Sequence, residues 1–180
     1  VVNFDLNSSV LKPAEMKDAD IAQLQALLTS ISTNPKMVVT QIELQSYASP
    51  EGEILLNDGL AVERAKAGSK VMTTVLKNSK LDVLYGALAK ENPKGEDWDG
   101  FKAAMDKSAI GDRDIIVRIL QRTTDLTERE TEIKNISKTY TEIKDLIFPS
   151  LRRCVIRVYY TENGYTDAEL ISLGKSNPSV

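Results

Sequence analysis

Apolar positions along the chain alternate between two periods. Met37-Val38-Val39-Thr40-Gln41-Ile42-Glu43-Leu44 is β-branched and predicts a strand over Val38 to Ser46. Leu60, Ala61, Ala65, Gly68, Met72 and Val75 recur at helical spacing and predict a helix from about Asn57 to Asn78. Upstream, Val1 to Leu6 reads as a short strand. Pro13 sits where a first helical turn tolerates it, and Ile21, Leu24, Leu28 and Ile31 form a stripe ending at Asn34-Pro35. The order is β-α-β-α, each helix crossing back to one sheet. Leu81 to Ala89 is ambiguous between strand and helix. Leu151 to Thr161 is the last strand.

About 55 residues separate that segment from the last strand. Gly95 to Phe101 opens a helix carrying Phe101, Ala104 and Met105, and Asp112 caps Ile115, Ile116, Ile119 and Leu120. Thr127 with Glu130 forms a capping box for one longer helix bearing Ile133, Ile136, Tyr140, Ile143 and Ile147, ended by Pro149. Trp98 is expected to pin these helices to the sheet. Thr166 with Glu169 is a second capping box, for a helix through Leu170, Ile171 and Leu173.

The chemistry concentrates between the second strand and its helix, in Gln45-Ser46-Tyr47-Ala48-Ser49-Pro50-Glu51-Gly52. Pro50 and Gly52 shape a turn, and Asn57 or Asp58 is placed to accept from the next helix's first amides. Arg64 falls among small and apolar neighbours, so its guanidinium faces groove or core and requires an anion or several acceptors. Loop amides, a helix N-terminus and an inward arginine make a carboxylate site.

This layout resembles the OmpA-like domain, the peptidoglycan-associating module of Gram-negative envelope proteins. Tyr47, Gly52, Asn57, Leu60, Arg64 and Ala65 fall in register with the family's loop-and-helix pattern. Phe4 to Pro13 is similar to its entry into the first helix, and Leu151 to Val158 to its closing strand. The resemblance implies an α/β (α+β) two-layer sandwich of β-α-β-α-β-β type, with a mixed sheet and helices on one face, and it makes Leu81 to Ala89 a third strand ending before Pro93. The domain would span 1–161 with a helical insert at about 94–149, and 162–180 would be a linker and the start of a helical, tetratricopeptide-like module continuing past Val180. The chain opens on a strand without an initiating methionine, so a leader and the segment before Val1 are expected to lie outside it.

In the family, a loop aspartate and the helix arginine hold the two ends of diaminopimelate. Arg64 holds the arginine position, but Ser49 holds the aspartate's and supplies no charge. Glu51, two positions along the turn, is expected to point elsewhere. Arg152 and Arg153 would lie near the ligand end, either supporting the loop or as a solvated strand end. The implied binding set is Tyr47, Ser49, Glu51, Gly52, Asn57, Arg64, Arg152 and Arg153.

A net charge of -3 argues against a general nucleic-acid binder. The chain has no histidine and one cysteine, which removes an intramolecular disulfide and the usual zinc and copper sites; Cys154 reads as a core residue. Glu96, Asp97 and Asp99 read as caps and solvated acids, since a calcium loop needs more oxygen ligands at set spacing. No cofactor is expected. Without a histidine or a nucleophile-elbow pattern, Ser49 leaves only a serine–lysine arrangement as a hydrolytic alternative, and no nucleotide-binding motif occurs. The expectation is a non-enzymatic module.

Two functional classes remain, the first the expected function and the second its alternative. One is an anchor on the periplasmic side of the outer membrane, tying an outer-membrane protein or lipoprotein to a peptidoglycan stem peptide. Its membrane association would come only through parts outside this chain. The other is a scaffold that has lost that ligand and binds a protein through the helical insert or the repeats.

Overall fold

The structure, a computed structural model, describes residues 1–176. The expected continuation of the tail over 177–180 lies outside the described residues. The fold is α+β: a four-stranded mixed sheet in the order β1-β4-β2-β3, with two helices packed on one face. The strands are β1 (Val2–Asn3), β2 (Met37–Ala48), β3 (Ala89–Glu96) and β4 (Arg153–Glu162). β4 pairs antiparallel with β1 and β2, and β2 pairs parallel with β3. A parallel pair needs a crossover, which α2 (Ile54–Asn78) supplies.

Alternation along β2 sets the two faces. Ile42, Leu44, Ser46 and Ala48 are buried toward the helices, while Glu43, Gln45 and Tyr47 project from the other side. Against the first set pack Ile21, Leu28 and Ile31 of α1 (Ala19–Thr33), and Val71, Met72 and Val75 of α2. Gly68 is where α2 comes closest to the sheet. A Cβ there would stand 2.4 Å from Cys154 Sγ and 3.2 Å from Leu44 Cδ2. Gly68→Ala is therefore expected to cost about 1–3 kcal/mol by overpacking. Cys154→Ala in the same chain should recover much of that loss, and urea unfolding of the single and double variants checks it. Cys154 is fully buried, which pushes its thiol up to about 12.

Several local expectations are corrected. Leu81 to Ala89 is not a strand: it forms a 3-10 turn over Asp82–Leu84 and a short helix, α3 (Tyr85–Leu88). The third strand follows it and runs through Pro93. β3 is an edge strand bonded only to β2, so a residue lacking an N–H is tolerated there. Pro13 does not open α1, which starts behind Asp18, whose side chain accepts from Asp20 N at 2.8 Å. Asn57 and Asp58 lie inside α2, whose first residue is Ile54, so neither caps it.

The chain between β3 and β4 folds around its own core. It holds α4 (Trp98–Lys107), α5 (Arg113–Arg122), α6 (Leu126–Lys134), α7 (Ser137–Leu146) and α8 (Phe148–Leu151). Phe101, Met105, Ile116, Ile143, Phe148 and Leu151 are buried together, and the Trp98 and Tyr140 rings pack edge-on against Phe101 and Phe148. The single long helix expected from Thr127 is two helices, and Pro149 lies within α8 instead of ending α7. Asp125 caps α6 by accepting from Glu128 N, so Thr127 and Glu130 form no capping box. Asp112 precedes α5 but its carboxylate accepts from the Thr139 hydroxyl and makes no cap bond. The second capping box does form: at the start of α9 (Asp167–Ser176), Thr166 N donates to Glu169 Oε2 and Glu169 N to Thr166 Oγ1.

Candidate functional site

The β2–α2 loop, residues 49–53, lies between the sheet core and the helical insert. Arg64 projects from α2, two turns after Asn57, toward the end of β2 where the loop starts, on the stripe that also buries Ala61, Ala65 and Gly68. It is 1% exposed. Its acceptors are backbone carbonyls: Nε donates to Ser8 O at 3.0 Å, Nη1 to Tyr47 O at 2.8 Å and Nη2 to Asp5 O at 3.2 Å. The guanidinium also lies 5.4 Å from the centre of the Phe4 ring. Burial and the nearby Arg152 charge draw its pKa down to about 10 against the pull of Glu51, so it stays charged at neutral pH. One side chain thus joins the segment after β1, the end of β2 and α2.

Glu51 corrects the sequence expectation. It turns inward, is 8% exposed, and its Oε1 accepts from Arg152 Nη2 at 2.6 Å and Nε at 3.1 Å. The Ser49 hydroxyl donates to the same oxygen at 2.6 Å and lies 3.3 Å from Arg152 Nε. Arg152 therefore supports the loop from the start of β4, the strand next to β2. The Glu51 charge is thus spent on Arg152.

Gly52 has a φ of 104°, which a side chain would strain. Its N–H is taken by Glu130 Oε1 of α6 at 2.8 Å, across 78 positions of sequence. Lys134, one turn on, pairs with the same oxygen at 2.7 Å. The insert thus lays a carboxylate on the loop's amide. Charges of Glu130 and Glu51, behind burial as the main cause, push the nearby Tyr140 hydroxyl up to about 12.

The remaining site residues point into the junction between sheet and insert. Asn57 Nδ2 donates to Glu96 Oε1 at 2.8 Å, and the Trp98 indole N–H donates to Glu96 Oε2 at 2.8 Å. Arg129 of α6 covers the Trp98 ring at 4.9 Å and donates to Thr123 O. Arg153 diverges from Arg152: it forms an ion pair with Asp97 at 2.6 Å and lies over the Tyr47 ring at 5.1 Å. Asp97 also caps α4 by accepting from Gly100 N. Tyr47 itself contributes a carbonyl to Arg64 and a ring to Arg153, and its hydroxyl donates to Gln45.

Beside Tyr47 a cleft of about 300 Å³ opens, lined also by Lys94, Glu96, Asp97, Trp98 and Asp99. Three carboxylates against one ammonium make it a poor receptor for another carboxylate. Among the described residues no group of three or more acidic or cysteine side chains is arranged to hold a metal ion, and no helix is long and apolar enough to cross a membrane.

Sequence reasoning missed Glu130, Glu96 and Arg129. Glu130 was visible only as a capping-box partner, and no local pattern could connect it to Gly52. Glu96 carries a testable signature. Burial lifts its carboxyl above the ordinary 4.5, against the hydrogen bonds from Asn57 and Trp98, and the charges of Glu130 and Asp58 lift it further. With the folded-state pKa above the unfolded one, its charge costs stability above the raised value, and the cost vanishes below 4.5. Trp98 is the only tryptophan. Its fluorescence is expected to titrate with a midpoint above 4.5, moving down toward it in Glu130→Gln; a wild-type midpoint at or below 4.5 would contradict the burial.

No protein-family model and no curated protein matches this chain.

Proposed function

We propose that this chain is a divergent OmpA-like module of a bacterial cell envelope, acting as a non-enzymatic scaffold for protein contacts after losing stem-peptide capture. The observation that carries this reading is how the loop's charged groups are spent. Arg64 is satisfied by three backbone carbonyls. Glu51 is bound by Arg152 and Ser49, and Gly52 N by Glu130. A diaminopimelate group would have to displace internal partners from groups that are already desolvated, losing bonds as it gains them. The Ser49 hydroxyl, buried between Glu51 and Arg152, also supports a role without catalysis.

Peptidoglycan anchoring is the second reading. What favours it is that Glu51 restores a carboxylate beside Ser49, where the family carries its aspartate. It requires Glu51 to give up Arg152 and Glu130 to leave Gly52. Co-sedimentation with purified diaminopimelate-type sacculi separates the two. The scaffold reading expects the protein to stay in the supernatant at physiological salt. Retention in the pellet, competed by soluble muropeptide, would favour the anchor.

A further inference from the structure

The turn joining β4 to α9 carries a chemically reactive pair of residues. Asn163 is the only asparagine in the chain that is followed by glycine. β4 ends at Glu162 and α9 begins at Asp167, so Asn163 and Gly164 belong to neither element, and both are exposed. Asn163 N donates to Lys36 O at 2.8 Å, which holds the asparagine beside the start of β2. Gly164 N makes no hydrogen bond among the described residues, and a Cβ built on Gly164 would meet nothing within 4 Å. An amide that is unbonded and unobstructed can turn back on the side chain before it. Inside a strand or helix, its hydrogen bond would forbid that motion.

Lys36 organises the same turn. Its ammonium pairs with Glu169 Oε2 of α9 at 2.5 Å, lies 4.9 Å from the centre of the Tyr165 ring, and donates to Gly164 O at 3.4 Å. A positive charge so close favours loss of the Gly164 amide proton. The same ammonium ties α9 to the start of β2. Leu170 and Ile171 stay 53% and 59% exposed, so apolar packing adds little to that tie.

We propose that Asn163-Gly164 is a site of spontaneous deamidation, and that the isoaspartate formed there competes with Glu169 for Lys36 and loosens α9. Gly164 N, its proton lost to hydroxide, attacks Asn163 Cγ. The new N–Cγ bond forms, the Cγ–Nδ2 bond breaks, and the side-chain nitrogen leaves as ammonia with a proton taken from water. The product is a cyclic succinimide, which a second water opens. Addition at Cγ breaks the new bond and gives aspartate. Addition at the main-chain carbonyl breaks the original peptide bond and gives isoaspartate, whose backbone runs through Cβ and Cγ. The net change is water consumed and ammonia released, with no oxidant, reductant or cofactor. Both products put a carboxylate beside Lys36 where a neutral amide stood. Isoaspartate also lengthens the turn by a methylene, which shifts Gly164 and Tyr165 away from the lysine.

Incubation of the folded chain at mildly alkaline pH, followed by mass spectrometry of its peptides, tests the chemistry. The peptide holding Asn163 is expected to gain about 1 Da ahead of every other asparagine peptide, and to become a substrate for isoaspartate methylation. Gly164→Ala fits the free space at a backbone position outside the left-handed region, and is expected to slow the conversion at least about tenfold. Hydrogen exchange tests the consequence. The α9 amides are expected to exchange at least about threefold faster in converted wild type than in fresh protein, and to stay at the fresh rate in Gly164→Ala incubated alongside. Circular dichroism checks that the variant is folded. Conversion that is no faster at Asn163 than at other asparagines, or that is equal in Gly164→Ala, overturns the proposal. So does conversion that leaves α9 exchange unchanged, because Lys36 would then not be what holds the helix.

Discussion

Arg64→Ala is expected to lower the free energy of unfolding by about 3–5 kcal/mol, a large share of the stability of a domain this size. The carbonyls of Asp5, Ser8 and Tyr47 lose their donor at once in a place closed to solvent. Relief of the buried charge and entry of water into the vacated space offset part of that, so the cost stays below the sum of three broken bonds. Arg64→Lys should recover only a minor part, because one ammonium on a flexible stem cannot span three acceptors held by a planar fork. Urea unfolding of the three proteins measures both effects. A loss under about 1 kcal/mol for Arg64→Ala would mean that the arginine is not a structural tie. The same side chain would then have to be reconsidered as a ligand group.

The second large effect belongs to the buried pair under the loop. Glu51→Ala leaves the Arg152 charge without its anion at 11% side-chain exposure, and a loss of about 3–5 kcal/mol is expected. Taking out both charges, as Glu51→Leu with Arg152→Met, should cost much less than either single change, since no unpaired ion remains. The double-mutant cycle reads the coupling directly. Additive losses would indicate that the two side chains act separately, contrary to the 2.6 Å contact between them.

The parts of the fold legible in sequence are those whose elements carry their own period. The stripe of α2, from Asn57 through Arg64 to Val75, is the clearest, and it also placed Arg64 away from water. β3 was hidden for the opposite reason. Ala89–Glu96 is an edge strand with one neighbour, so it needs no apolar alternation and tolerates Pro93. The resemblance misled over the apolar run before it: Leu81, Leu84, Tyr85 and Leu88 stand three or four apart, which is helical spacing, and all four pack on the core. Turn chemistry misled in α6, where Thr127 and Glu130 match a capping box, but Asp125 captures the helix start and Glu130 reaches Gly52.

For the site, the loop and Arg64 were readable, but the partners that decide its chemistry were not. Glu51 turns inward because Arg152 waits at the start of the neighbouring strand, a contact over 101 positions that no local rule encodes. The segment after Pro13 makes only a 3-10 turn over Glu15–Lys17 before α1 begins at Ala19, downstream of carbonyls at Asp5 and Ser8 that are turned to Arg64. Long-range satisfaction of buried charge therefore overrides local preference on both sides of the site.

The most direct test of the central claim, that the loop is closed on internal partners, is an NMR titration of the ¹⁵N-labelled protein with a diaminopimelate-containing muropeptide. We expect no saturable shifts at Tyr47 to Gly52 or at the Arg64 Nε–H up to millimolar ligand, in wild type or in Glu130→Ala. Saturable shifts confined to those residues in wild type, and lost when Glu51 is replaced by glutamine, would contradict the claim and restore stem-peptide capture as the function.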